Sequence, residues 1–236
     1  VWLVAIIRAA VRYGPRRVSW VLIMDHTGSM RTRCRWPKRP RKFDRARATA
    51  KDIADWILLL RPNDRLGVVR FTSRLCFNPR LGNPLPAVTV VPLAPITPAQ
   101  CTLVERNLKA LGLPRGCTPI HWGLAAGRWM LRPALNDPRI MFLLSDGKHN
   151  TWTCGRDCGN RNPRPVRNEV KEEKKERITV HSIGFSYNAW QDVNMLKNVI
   201  ARPTGGNYYR LDELCLWPVF ARSESFQTDN QMLFSD

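Results

Sequence analysis

Hydrophobic residues fall along this chain in two alternating patterns. Short apolar, β-favouring runs, each ended by polar or turn-forming residues, occupy positions 18–24, 66–71, 140–144 and 178–185. Apolar residues with helical spacing occupy positions 43–60, 98–111, 118–131 and 190–200, and a charged helix ends near residue 177. Strands that alternate with helices predict an α/β fold: a doubly wound, mostly parallel central sheet flanked by helices in a single domain.

The segments between these elements are less regular. Residues 72–98 are rich in proline and predict an irregular edge strand near residues 88–91. Towards the C-terminus, the pattern predicts a short strand at 208–211 and a last helix at 213–222.

The chain therefore divides into three parts. The first ten residues are apolar, but Arg8 interrupts them and they are too few to span a membrane, so we expect a strand or helix packed on the domain. Residues 1–17 are a lead-in segment, residues 18–222 are the domain, and residues 223–236 are a polar tail.

Two of the predicted buried strands end in an acidic residue. Asp25 ends the first strand, and Thr27 and Ser29 follow it at alternate positions. Asp146 comes just after the strand at 140–144, and Thr118 begins a helical pattern. Ligands of open α/β sheets bind at the carboxyl ends of the strands, where these residues are expected. Carboxylate and hydroxyl oxygens are hard ligands that suit Mg²⁺.

A plainer interpretation is available for each residue taken alone. Asp, Thr, Gly and Ser also form ordinary turns and helix caps, so Asp25 could simply end a strand, Thr118 cap a helix and Asp146 start a loop. The order of all five residues, each on a suitable element, favours the metal site over that interpretation.

These five residues resemble the metal-ion-dependent adhesion site (MIDAS) of the von Willebrand factor type A (vWA) family. That site has the pattern D-x-S-x-S, a distant Thr and a distant Asp. Here Thr27 stands where Ser is usual and Ser145 precedes Asp146 where Thr is common, and both keep a hydroxyl. The segments 180–185 and 201–209 look like the fifth and sixth strand regions of the family, so the resemblance covers nearly the whole chain.

The resemblance implies a role for each residue. Thr27 and Ser29 would ligate Mg²⁺ directly, with Mn²⁺ or Ca²⁺ as alternatives. Asp25 and Asp146 would bind the ion directly or through water, and Thr118 would engage according to conformational state. An Asp or Glu carboxylate of a protein partner would then take the remaining coordination position.

Charge adds a second candidate surface. The chain has 38 Lys and Arg against 19 Asp and Glu, a formal net charge of +19, which favours anionic partners or is merely a solvated basic surface. A basic loop, residues 31–47, leaves the first strand beside the proposed metal. We expect six of its residues to attract an acidic partner: Arg31, Arg33, Arg35, Lys38, Arg39 and Arg41.

The seven cysteines favour a local disulfide between Cys154 and Cys158, which share a polar loop. Free thiols are the second interpretation, and a zinc site with His149 the third, because a fourth ligand is not evident.

No catalytic set is visible. We find neither a nucleophile with its base nor a phosphate-binding loop, and do not expect an enzyme. We interpret His121 as a helix residue and His181 as a strand residue. The other two histidines, His26 and His149, are interpreted as rim residues.

The predicted function is a divalent-cation-dependent protein-binding or adhesion module in a surface or secreted assembly, hence extracellular or at the cell surface. The alternatives are a cytoplasmic vWA protein associated with nucleic acid or with an AAA+ ATPase through its basic surface, and a structural subunit whose metal meets no external ligand. Steep loss of binding with salt would identify the nucleic-acid alternative.

Overall fold

Six strands of the described residues form the central sheet. The computed structural model describes residues 3–32, 40–72, 87–147, 149–150, 162–185 and 193–211. Within them the strand order is β3-β2-β1-β4-β5-β6, with bounds Ser19–Asp25 (β1), Arg65–Phe71 (β2), Ala87–Pro95 (β3), Arg139–Ser145 (β4), Ile178–Gly184 (β5) and Tyr208–Arg210 (β6). The edge strand β3 runs antiparallel to β2, and the other neighbouring strands are parallel. The predicted doubly wound α/β fold is confirmed.

Helices cover both faces of the sheet. Their bounds are Leu3–Tyr13 (α1), Lys42–Leu60 (α2), Pro98–Ala110 (α3), Ile120–Leu131 (α4) and Arg164–Lys175 (α5). A π-helix, Met195–Ala201, stands where an ordinary helix at 190–200 was predicted. The lead-in segment forms α1, whose Ala5, Ile6 and Ala9 enter the core. None of the helices in the described ranges is long and apolar enough to cross a membrane. The predicted helix 213–222 and tail 223–236 lie outside the described residues.

The two central strands are packed from both sides. Every residue of β1 and β4 is buried. Trp20, Leu22 and Met24 of β1 join a core with α1, α2 and α3, while Val21 and Ile23 join a second core with α4 and α5. This alternation follows from the two-residue period of a strand. Because β1 and β4 are parallel neighbours, their carboxyl ends, and the acids that follow them, lie side by side.

A buried ion pair fastens the turn after α2. Pro62 follows the helix end, and Asp64 then turns back into the core. The Asp64 carboxylate accepts hydrogen bonds from the Val18 N–H (2.8 Å), the Trp20 indole (2.7 Å) and the Arg61 guanidinium (2.6 Å). The Arg61 guanidinium also donates to the carbonyl of Gly14, beyond the end of α1 (2.9 Å). One cluster therefore connects α1, α2 and β1.

Helix α5 buries an acid in its apolar stripe. Val166, Val170 and Glu173 are the buried residues of this helix, at the spacing of one face. The Glu173 carboxyl oxygens have no hydrogen-bond partner in the part of the chain that the structure describes. Burial, with a smaller effect of Glu169, raises the pKa of Glu173 well above its usual range.

Glu173→Leu should therefore raise the free energy of unfolding, by about 1–2 kcal/mol at pH 7, because it removes a buried polar group that lacks a partner. Since the folded state raises this pKa, ionisation destabilises the fold, and the gain should grow as the pH rises. Urea denaturation of the variant beside Glu172→Leu, at the exposed neighbouring position, measures the gain. A loss of stability would mean that the carboxyl supports Arg128.

Candidate metal centre

The five predicted site residues meet at the carboxyl ends of β1 and β4. Asp25 is the last residue of β1, and Asp146 follows the last residue of β4. Ser29 lies in a 3₁₀ turn, Gly28–Arg31, and Thr118 lies two residues before α4. All are buried except the half-buried Ser29. The structure thus brings all five together at the expected edge.

Their oxygen atoms form a continuous chain of contacts. The Thr118 hydroxyl donates to the Thr27 hydroxyl at 2.9 Å, and the Thr27 hydroxyl donates to Asp25 Oδ1 at 2.5 Å. Thr27 Oγ1 and Ser29 Oγ are 3.3 Å apart, and Ser29 donates to Asp146 Oδ1 at 3.0 Å. Two carboxylates and three hydroxyls therefore face one small volume.

Asp25 carries the strongest electrostatic perturbation of the site. Its carboxylate also accepts the Thr27 N–H (3.0 Å) and the hydroxyl of Ser145 (2.5 Å), which in turn accepts the Gly147 N–H (3.0 Å). Complete burial, and then the charge of Asp146, raise the pKa of Asp25 to about 7 despite these hydrogen bonds. The ionised form of Asp25 is therefore disfavoured at this buried position.

Backbone contacts hold the three ligand-bearing segments together. The Gly28 N–H donates to the Gly116 carbonyl at 2.9 Å, and a Cβ at Gly28 would approach that oxygen to 3.2 Å. Gly116 itself has φ of 78°, which favours glycine. Asn150 exchanges two bonds with Thr118: its side chain accepts the Thr118 N–H (2.7 Å), and its N–H donates to the Thr118 carbonyl (3.1 Å). Thr118 and Pro119 lie outside the helix, and α4 begins at Ile120 instead of Thr118.

Sequence reasoning assigned no contact to three residues of this site, although it noted the hydroxyl of Ser145. Ser145 and Asn150 position Asp25 and Thr118, as described above. Lys42, at the first turn of α2, places its ammonium 2.9 Å from Asp146 Oδ2, and only 7% of the residue is exposed. Its signal was in the helix pattern: Lys42 is in phase with Ala46 on the buried stripe of α2. Lys42 belongs to the basic loop but was not among the six residues expected to face a partner, and its ammonium points inward.

The rest of the basic loop is only partly described. Arg31 is exposed and Arg41 is half-buried. The remaining four predicted partner-binding residues lie outside the described residues: Arg33, Arg35, Lys38 and Arg39. Cys154 and Cys158, predicted to form a disulfide, lie outside them as well. Of the described cysteines, Cys101 is free and buried and Cys117 is disulfide-bonded.

The prediction that His26 and His149 are rim residues is wrong, because both are buried. The His26 ring packs on Phe43 with ring centres 4.9 Å apart, and the His149 ring lies against His121 at 5.7 Å. Burial lowers the pKa of both His121, to about 4, and His149. His121 and His181 lie in a helix and a strand, as predicted. Within the described residues no three His, Cys, Asp or Glu side chains are grouped to hold a metal; the candidate site has two carboxylates, and its other oxygens are hydroxyls.

Comparisons with known proteins identify the fold. No family model matches the sequence, and no curated protein matches it. Among solved structures, the pilus adhesin SpaC from Lactobacillus rhamnosus GG superposes with a TM-score of 0.59 at 18% identity, over 85% of this chain and 29% of the adhesin. A von Willebrand factor type A protein from Catenulispora acidiphila gives a TM-score of 0.59 at 16% identity, over 85% of this chain and 42% of that one.

The VWA domain of SpRpn10 is similar over 83% of this chain and 87% of its own length, with a TM-score of 0.55 at 8% identity. The chain thus spans less than half the length of the first two structures and most of the third. The sheet order, the flanking helices and these superpositions show that the chain has the fold of a von Willebrand factor type A domain.

Proposed function

We propose that this protein is a divalent-cation-dependent protein-interaction module. Mg²⁺ is held by the two carboxylates and three hydroxyls of the site, and it captures a carboxylate from a protein partner. The observation that carries the proposal is the convergence of these oxygens, from three separate segments, at one sheet edge. The residues are Asp25, Thr27, Ser29, Thr118 and Asp146.

The chemistry of the donor set fits the ion. Mg²⁺ prefers hard oxygen ligands and is commonly held by one or two carboxylates while it keeps several waters. The raised pKa of Asp25 supports the fit, because burial and then the charge of Asp146 disfavour the ionised carboxylate, which a bound cation would stabilise. The two carboxylates carry only as much negative charge as Mg²⁺ carries positive charge. The bound ion can therefore still accept an external anion.

The setting of the module is a second part of the proposal. One similar structure is a pilus adhesin, which supports a role in protein contact outside the cell. Cys117, directly before Thr118, is disulfide-bonded, and disulfides persist in oxidising compartments. A surface or secreted assembly accounts for both observations.

Calorimetric titration of the metal-free protein with Mg²⁺, Mn²⁺ and Ca²⁺ tests the site. We expect saturable binding to the wild type and to Asp52→Asn, an exposed acid of α2. Ser29→Ala should bind Mg²⁺ at least about 10-fold more weakly, because the variant loses a ligand. Even the loss of a residue that hydrogen-bonds to a metal ligand commonly lowers metal affinity by that factor. Absence of binding by the folded wild type would overturn the proposal.

Capture of a carboxylate is tested with acetate as the smallest probe. Acetate that displaces a water from the protein-bound Mn²⁺ should lower the water-proton relaxation enhancement in a saturable way. No change with acetate would favour the structural subunit whose metal meets no external ligand.

One observation favours a second candidate, binding of nucleic acid. A concave surface of about 630 Å³ lies at the opposite edge of the sheet, near the amino ends of β4 and β5. Five cations and one acid, Asp137, line it, and the cations are Arg12, Arg16, Arg139, Lys174 and Arg177. The whole chain carries a formal net charge of +19, and this basic surface would attract phosphate groups. Binding of single-stranded DNA that falls steeply between 50 and 200 mM salt, roughly the interval over which phosphate contacts weaken, would support it.

A further inference from the structure

Lys42 already supplies a cation to the proposed metal site. Its ammonium lies 2.9 Å from Asp146 Oδ2, while Ser29 donates to Oδ1 of the same carboxylate. The side chains of both Lys42 and Asp146 are almost fully buried. The backbone of Lys42 is fixed as well, because its N–H donates to the Thr32 carbonyl at 3.0 Å. The lysine therefore occupies a defined place at the start of α2, with its charge on a ligand of the metal site.

This ion pair and a bound divalent cation compete for one carboxylate. An ion held by Ser29 and Asp146, directly or through water, would stand beside the ammonium. Like charges repel more strongly at a buried site than in water. With Lys42 in place the site would hold three positive charges against the two of Asp25 and Asp146, whereas without it the charges balance. The flexible four-carbon stem of lysine allows the ammonium to leave while the backbone stays in place.

We propose that Lys42 is the built-in counter-ion of this site: it neutralises Asp146 in the metal-free protein and must be displaced when a divalent cation binds. The inference rests on the proposed metal-binding function and adds a regulator to it. Lys42 stabilises the metal-free domain and lowers the affinity of the site for metal. The metal concentration at which the module becomes competent for its partner is therefore set by this lysine as well as by the ligands.

A pair of lysine variants on the same helix tests this. Lys42→Met removes the charge and keeps a long side chain at a buried position. Lys51→Met is the matched control, because Lys51 is half-exposed on α2 and pairs with Asp55 at the surface. Calorimetry should show Mg²⁺ affinity roughly 10-fold or more higher for Lys42→Met than for the wild type, since losing a buried competitor is worth at least that factor. Lys51→Met should match the wild type. Without metal, Lys42→Met should melt at a lower temperature, and saturating Mg²⁺ should remove most of the difference.

The possible results distinguish the role of Lys42 from the proposed metal-binding function. Saturable binding with equal affinities for Lys42→Met and Lys51→Met overturns the role of Lys42 and leaves the metal site intact. No binding by the wild type and both variants, all folded, overturns both.

A measurement on the wild type serves if Lys42→Met does not fold. Acetylation of individual lysines by an amine-reactive reagent can be followed by peptide mass spectrometry, with Lys51 as the internal reference. Lys42 should react slowly without metal and several-fold faster with saturating Mg²⁺. An unchanged rate at Lys42, in a protein that calorimetry shows to bind Mg²⁺, would overturn the inference.

Discussion

Replacing Asp64 by alanine should lower the free energy of unfolding by about 3–5 kcal/mol, the usual cost of removing one partner of a buried ion pair. Only 1% of Asp64 is exposed, and its carboxylate accepts bonds from Val18, Trp20 and Arg61. The variant leaves a buried N–H, a buried indole donor and a buried guanidinium without their acceptor.

The loss should spread beyond the turn that contains Asp64. The Arg61 guanidinium also donates to the Gly14 and Arg16 carbonyls, so its position fixes the segment between α1 and β1. Asp64→Asn should lose less stability than Asp64→Ala, because the amide oxygen can still accept a bond while the charge is gone.

Urea denaturation followed by tryptophan fluorescence measures this effect, and Trp20 is itself a partner of Asp64. Asp55→Ala is the control, since Asp55 pairs with Lys51 at the surface, where ion pairs contribute about 0–1 kcal/mol. A change of similar size in the two variants would contradict the structural role assigned to Asp64.

Asp25→Asn should have opposite effects on binding and on folding. Mg²⁺ affinity should fall by about 100-fold or more, because the change removes a charged ligand. Loss of a residue that only hydrogen-bonds to a metal ligand already lowers metal affinity by about 10–100-fold. The metal-free protein should nevertheless become more stable at pH 8. Burial and Asp146 raise the pKa of Asp25 to about 7, so at pH 8 the folded state carries a carboxylate that it disfavours.

The pH dependence gives the sign of this effect. Between pH values of about 4 and about 7 the folded protein retains a proton on Asp25 that the unfolded chain has released. The stability of the metal-free wild type should therefore fall as the pH rises through this window. Asp25→Asn should show a flatter profile, and saturating Mg²⁺ should stabilise the wild type most at the upper end.

Asp146→Asn separates the two acids of the site. Both variants should lose Mg²⁺ binding, but Asp146→Asn should be less stable than the wild type without metal, because it leaves the buried Lys42 ammonium without its partner. Thermal melts at pH 6 and pH 8 with a chelator present, beside calorimetry, measure both properties. Destabilisation by Asp25→Asn at pH 8 would show that the ionised Asp25 is needed by the fold.

The strands and the acids at their ends were predictable from the sequence for a physical reason. A strand buried on both faces is an unbroken apolar run, and its end is marked by the first charged residue, as at Asp25. Parallel neighbours bring such ends together, which placed Asp146 correctly without any knowledge of side-chain contacts.

The parts that were missed depend on contacts between segments distant in sequence. Lysine is a residue type that is usually exposed. The burial of Lys42 becomes favourable through its ion pair with Asp146, which is 104 residues away in the sequence. His26 is buried because Phe43 and the Gly112 carbonyl meet its ring. The π-helix at Met195–Ala201 has the same apolar spacing over a few residues as an α-helix, so periodicity could not distinguish them.

The position of β1 between two hydrophobic cores has a consequence for the order in which the molecule opens. A strand paired on both edges and packed on both faces belongs to the part of a protein that exchanges its amide protons only on global unfolding. Ser29 lies instead in a 3₁₀ turn and Thr118 in the segment before α4, and both positions are outside the sheet. Asp25, the last residue of β1, is therefore held as firmly as the sheet, whereas Ser29 and Thr118 can shift relative to it without breaking the strand pairing.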